Sequence, residues 1–244
     1  NEVKDLYGQP YLDGGTATFL QRSILGEPLL AFYGWEVAGV YQNQQEIEND
    51  PIAQENGLVP GDFKYVDQNK DNHINADDRV VLGSYFPSFT YGFNFRIAYK
   101  NFMLSTDVMG KMGNKILNRN RGEVIWTADL NKDAELATNL WYGEGTSNKY
   151  PSASGLRRAW NQKMSDYFVE DGSYFRIRNV QLSYTFKDQR IFGVQMPETK
   201  IYVTGERLLT ISEYNGFSNE IADGIDDYMY PTPAVYNIGL NLKF

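Results

Sequence analysis

The stretch DQNKDNHINADD, residues 67–78, gathers oxygen donors at a spacing that suits a hard divalent cation. Asp67, Asn69 and Asp71 stand at alternate positions, His73 can offer its backbone carbonyl, Asn75 follows, and Asp78 holds the twelfth place, where a carboxylate closes a calcium loop. Ile74 fills the apolar eighth place, and Asn72 stands at the sixth, where glycine is usual and where asparagine can also turn left-handed. On this reading the cofactor is calcium and its role is to order the loop. The short side chain of Asp78 suits a modest affinity, adequate for an extracellular module. The competing reading is a polar turn that binds nothing, because Asn and Asp side chains cap their own backbone.

Other chemistry is scarce. The chain has a single histidine, His73, and no cysteine, so a Ser-His or Cys-His nucleophile would have to borrow a residue of the acidic loop, and His-rich zinc sites are excluded. No phosphate-binding glycine loop is present, and no local pair of carboxylates stands out as acid and nucleophile. The expectation is that the protein is not an enzyme and has no catalytic residues. Trp126, Trp141, Tyr142 and Trp160, with Tyr150, are candidate contacts to a substrate or partner, as stacking surfaces for a sugar or peptide. The alternative for each is a place in a small core within a long loop. AELATNLWYGEG reads as a short helix ending at Gly143.

The elements that must carry these loops are strands. YNIGLNLKF puts Tyr236, Ile238, Leu240, Leu242 and Phe244 on one face and Asn237, Gly239, Asn241 and Lys243 on the other. SFTYGFNFRIAYK repeats the pattern with Phe89 to Tyr99 against Thr90 to Lys100, and a tight turn at Lys100 and Asn101 leads into FMLSTDVMG as a hairpin. AFYGWEVAGVY, SYFRIRNVQLSYTF and KIYVTGERLLTI complete six expected strands, with a β-bulge near Arg178 and Asn179 where the apolar parity shifts.

No run approaches the roughly 20 apolar residues of a membrane helix, which leaves a barrel open. Aromatics make up 15% of the chain and lie near strand ends, as interface girdles do. Long and short connections alternate, as in outer-membrane barrels with long extracellular loops and short periplasmic turns. The alternative is a soluble, calcium-stabilised β-sandwich that binds glycans. A net charge of -8 and the lack of any Lys/Arg run speak against nucleic acid. NEVKDLYGQP carries neither an initiator Met nor an export signal, so the chain is expected to begin inside a longer polypeptide.

Several segments together resemble the C-terminal part of SusC/RagA-like TonB-dependent outer-membrane transporters: FYGWEVAGVYQ, PGDFKYVDQNKDNHINADDRVVLGSYFPSFTYGFNF, YFVEDGSYFRIRNVQLSYTF, ISEYNGFSNE and YPTPAVYNIGLNLKF. They follow the family's order and cover most of the chain from Phe32 onward. Ser218 and Asn219 depart from the acidic residue and proline often found there, and Asn72 from glycine.

The resemblance implies an all-β fold: residues 1–244 as the C-terminal portion of a transmembrane antiparallel β-barrel of 22 strands, the plug domain and earlier strands being absent from this chain. It implies import of glycan or peptide oligomers in the outer membrane of a Gram-negative, Bacteroidetes-like cell. The implied partners are a SusD-like surface lipoprotein, TonB acting through the absent plug, the barrel assembly machinery that reads the terminal strand with Phe244, and membrane lipid.

Overall fold

The computed structural model describes the chain except for residues 17–19, 120, 122–133, 156, 157, 188, 189, 196, 228 and 244. Phe244 and Trp126 therefore lie outside the described residues. The chain divides into two units.

The first unit comprises Asn1–Phe86, Lys115–Asp171 and Ile221–Met229. Strands β1 (Tyr11–Gly15), β2 (Leu20–Ile24), β3 (Ala31–Gly34) and β6 (Val80–Gly83) form a four-stranded sheet, while β4 (Val37–Val40) pairs with β5 (Phe63–Tyr65). A three-stranded sheet joins β10 (Val169–Asp171), β9 (Lys115–Asn118) and β15 (Ile225–Asp226). Helices α1 (Gln44–Glu48), α2 (Pro51–Glu55) and α3 (Ala134–Asn139) are short. Asn43 caps α1 through the Glu46 amide and Asp50 caps α2 through that of Ile52, each at 3.0 Å, with Pro51 where its missing N–H costs nothing. The core is aromatic: Phe32, Phe63, Tyr65, Tyr150, Tyr167 and Phe168 are buried together with Trp35 and Leu117.

This unit corrects one expectation. AFYGWEVAGVY is not a barrel strand; it breaks at Trp35–Glu36 into β3 and β4, which belong to different sheets. Trp35 turns instead to another partner, its amide donating to the Met164 carbonyl at 2.9 Å and its indole to the Asn75 carbonyl at 2.8 Å. Gly34 permits that approach, because a Cβ there would run into the Met164 carbonyl. Of the face expected to hold Tyr33, Trp35, Val37 and Tyr41, Trp35 and Tyr41 are buried and the other two half-buried, and Phe32 and Val40 on the opposite side are buried as well.

The second unit comprises Pro87–Asn114, Gly172–Glu220 and Tyr230–Phe244. It is a five-stranded antiparallel sheet in the order β16 (Val235–Lys243), β14 (Glu198–Ser212), β11 (Tyr174–Phe186), β8 (Phe102–Met112) and β7 (Phe89–Tyr99). Each strand runs 9 to 15 residues. That matches or exceeds the ~9–11 a tilted strand needs to cross a bilayer. The β7–β8 hairpin turns at Lys100 and Asn101, with Lys100 in the left-handed region at φ 52. The expected bulge is present: the register shifts between Ile177 and Asn179 against both neighbours, so Arg178 is the extra residue opposite β8. The connection between β11 and β14 carries a minor hairpin of β12 (Arg190–Ile191) with β13 (Val194–Gln195).

Candidate functional site

The sheet of the second unit sorts its side chains by face, and two neighbouring register rows are apolar on all five strands. Ile97, Leu104, Leu182, Val203 and Ile238 stand in one register row, and Tyr99, Phe102, Tyr184, Ile201 and Leu240 in the next. On the other face Arg96, Ser105, Gln181, Thr204 and Asn237 form a polar row. The apolar face is not covered: Ile238 is 83% exposed, Ile97 65%, Leu240 59% and Phe93 55%. A β-sandwich would bury this face against a second sheet. Left open to water, a contiguous apolar surface of this kind marks a boundary with another phase or partner.

On the polar face, close to where β14 ends, Arg176 is buried and joins Glu220 at 2.6 Å and the Thr210 hydroxyl at 2.9 Å. Ser212 accepts from the Tyr214 amide at 3.0 Å and from the Asn219 side chain at 2.7 Å, which clips the segment after β14 back onto the sheet. Sequence reading left Arg176 without a role; its alternation with apolar neighbours placed it on the polar face, but not beside Glu220.

The acidic loop is a chain of Asx turns. Asp67 accepts from the amides of Lys70 at 2.7 Å and Asn72 at 2.8 Å, Asn69 from Asp71 at 3.0 Å, Asp71 from His73 at 2.8 Å, and Asn75 from Asp77 at 2.7 Å. Asn72 does adopt the left-handed conformation, at φ 64. Asp78 is buried and accepts from the Gln68 amide at 3.0 Å and from Asn75 at 2.8 Å, tying the two ends of the loop together. The amide of His73, with the Asn69 side chain, holds the Asp71 carboxyl below the usual carboxylate range. The imidazole of His73 points elsewhere: Nδ1 meets Glu55 at 2.8 Å, which raises its pKa.

Among the described residues no three His or carboxylate side chains gather as a ligand set. A cation in this loop would therefore also need the amide oxygens of Asn69 and Asn75 and the His73 carbonyl. Asp67 Oδ1 already accepts from the amides of Lys70 and Asp71, and Asp71 Oδ2 from the side chains of Asn69 and Asn75, so calcium would have to replace some of these turn bonds; the oxygen donors themselves are of the hard type that calcium takes.

Of the aromatic candidates, Trp141 and Trp160 are half-buried against the core, with indole N–H groups donating to the Gln42 side chain at 3.3 Å and the Phe63 carbonyl at 2.8 Å. Tyr142 stands out in solvent, at 82% exposure. Two polar clusters went unnoticed in the sequence. Asn161, fully buried, donates to Asp62 and to the Gly155 carbonyl, each at 2.8 Å, and accepts from the Phe63 amide at 2.7 Å, while Arg158 reaches Asp62 at 2.6 Å. Arg121, also buried, meets Glu135 at 3.2 Å and Glu170 at 3.4 Å, and Tyr150 donates to Glu135. Their partners lie up to 99 positions apart, beyond the reach of any local pattern.

Strands of membrane length with one open apolar face define a β-rich fold of the outer-membrane transporter type. Comparison with known proteins makes the assignment specific. The whole chain aligns with 26% of TonB-dependent receptor P26 of Formosa agariphila at 32% identity. It aligns over 94% of its length with 21% of TonB-dependent receptor SusC of Bacteroides thetaiotaomicron at 27% identity. Among solved structures, the RagAB peptide transporter superposes on the entire chain with a TM-score of 0.74 at 22% identity, the chain covering 26% of it. No protein-family model matches the chain. The chain is thus homologous to SusC/RagA-type TonB-dependent transporters and spans about a quarter of the length of these relatives. Those homologues are outer-membrane receptors of Gram-negative Bacteroidetes, transport proteins and not enzymes.

Proposed function

We propose that this chain is the C-terminal, barrel-wall and extracellular-loop portion of a TonB-dependent importer of glycan or peptide oligomers. Its five long strands would be consecutive staves of a closed 22-stranded barrel, with the apolar face on lipid and the polar face lining the substrate path. The long connections would lie outside the cell and the short turns on the periplasmic side. The partners on this reading are a SusD-like lipoprotein lid, TonB acting through a plug domain in another part of the polypeptide, and the barrel assembly machinery at the terminal strand. The observation that carries the reading is the apolar face, continuous in register across five strands of membrane length and open along all of them. Fractionation of cells expressing the full-length protein tests it. The protein should sediment with the outer membrane and leave it only with detergent; recovery in the detergent-free soluble fraction would refute a lipid boundary.

We also propose that loop 67–78 takes calcium, with Asp67, Asp71 and Asp78 supplying charge and Asn69, Asn75 and the His73 carbonyl the remaining protein oxygens. The support is the donor spacing and the Asx turns that draw these side chains into one loop. When bound, the ion would offset repulsion between the carboxylates and stiffen the loop; no transport step runs through it.

A further inference from the structure

Arg79 and Lys163 line one cavity of about 260 Å³ in the first unit, walled by Leu20, Tyr33, Trp35 and Met164. Arg79 lies 4.2 Å over the Trp35 ring, and its Nε–H is shut off from solvent with no hydrogen-bond partner. Lys163 is held by ring faces, 3.8 Å from the centre of Trp160, 5.3 Å from Trp35 and 5.5 Å from Tyr65. Among the described residues no carboxylate forms an ion pair with either. Their neighbour Arg22 makes the contrast: it also faces Tyr33, at 4.5 Å, but pairs with Asp13 at 2.6 Å. Asp78 is the carboxylate whose charge acts on Lys163, but the two form no ion pair.

Two part-buried like charges beside one hollow are an unfavourable arrangement unless something compensates them. Burial pushes the Lys163 ammonium down to about 8, and Arg79 adds to the effect. A buried donor with no partner also calls for an occupant. The hollow is larger than a single ion or water requires, and its walls combine the apolar Leu20, Tyr33 and Met164 with Gln162 and the two cations, which suits a small organic anion.

We propose that this cavity binds a small carboxylate-bearing ligand, the carboxylate received between the Arg79 guanidinium and the Lys163 ammonium with Leu20, Tyr33 and Met164 against its apolar part. The planar fork of arginine matches the two oxygens of a carboxylate, and the ammonium supplies a second charge-assisted bond. Two sources carry this chemistry, a uronic acid unit of an oligosaccharide and an acidic residue or C-terminus of a peptide. The site stands on the first unit alone and does not require that the chain form a transport channel.

Titration calorimetry on the full-length protein purified in detergent tests it, with four probes: methyl glucuronide, its methyl ester, an N-acetylated glutamyl dipeptide and the corresponding amide. At least one carboxylate probe should bind, and which one does identifies the source; its neutral counterpart should not. Arg79→Gln and Lys163→Gln should each weaken binding on the order of tenfold, and Lys163→Arg should retain it. Binding of neither acid, equal binding of acid and neutral form, or unchanged affinity in both Gln variants would overturn the assignment. The comparison of acid with neutral form uses the unaltered protein and so holds even if a variant misfolds.

Discussion

Asn161 ties two distant segments together: its side chain donates to Asp62 and to the Gly155 carbonyl and accepts from the Phe63 amide. Asn161→Ala leaves a buried amide and a fully buried carboxylate oxygen short of a partner, each worth ~1–3 kcal/mol. The expected result is faster amide hydrogen exchange across residues 57–66 and 152–162; exchange equal to that of the unaltered protein would show that the amide is dispensable. Lys163 supplies a prediction in pH. Its pKa near 8 is set by burial and Arg79 against the opposing pull of Asp78, so the ammonium is mostly protonated at pH 7 and is lost as pH rises through 8. A bound carboxylate favours the charged form and raises that pKa. Carboxylate binding should therefore take up protons near pH 8 and weaken between pH 7 and 9; an affinity flat across that window would remove Lys163 from the site.

At the scale of elements, the period of two does different work in the two units. In β7 and β16 it separates an open apolar face from a polar one. Replacing Phe93 or Leu240 by Arg should cost about 2–4 kcal/mol where the site lies near a bilayer midplane, and replacing Asn94 or Asn241 by Arg should be far milder. Unfolding of the full-length protein in lipid vesicles measures both, and equal tolerance of the two faces would count against lipid contact. In β3 and β4 the same alternation meets protein on both sides, because Trp35 and Gly34 dock on the Met164 carbonyl. Phe32→Arg should therefore be destabilising in a different way, by placing an unpaired charge in a closed aromatic core.

For the whole molecule, the division into a unit with its own aromatic core and a sheet with an open apolar face predicts two separable responses. Chelation of calcium should raise protease sensitivity between about residues 67 and 79 while leaving the five long strands protected by their ladder hydrogen bonds. The Asp67→Ala, Asp71→Ala double variant should behave like the chelated protein. Cleavage that is identical with and without chelator would reduce the loop to a self-capped polar turn, a role its Asx hydrogen bonds can fill alone.

The sequence by itself determined the long strands, the turn at Lys100, the bulge beside Arg178 and the relationship to TonB-dependent transporters, because these rest on period-two alternation and on motifs read within a few residues of one another. It also marked the acidic loop, whose donors are neighbours along the chain. It took the three-dimensional packing to bury Phe32, Trp35, Val40 and Tyr41, to half-bury Trp141 and Trp160 against the core, to bring Asp62 to Asn161 and to set Arg79 and Lys163 in the lining of one hollow. The reason is physical. An apolar face looks the same in sequence whether it touches lipid or protein, and a buried polar group chooses its partner by position in space.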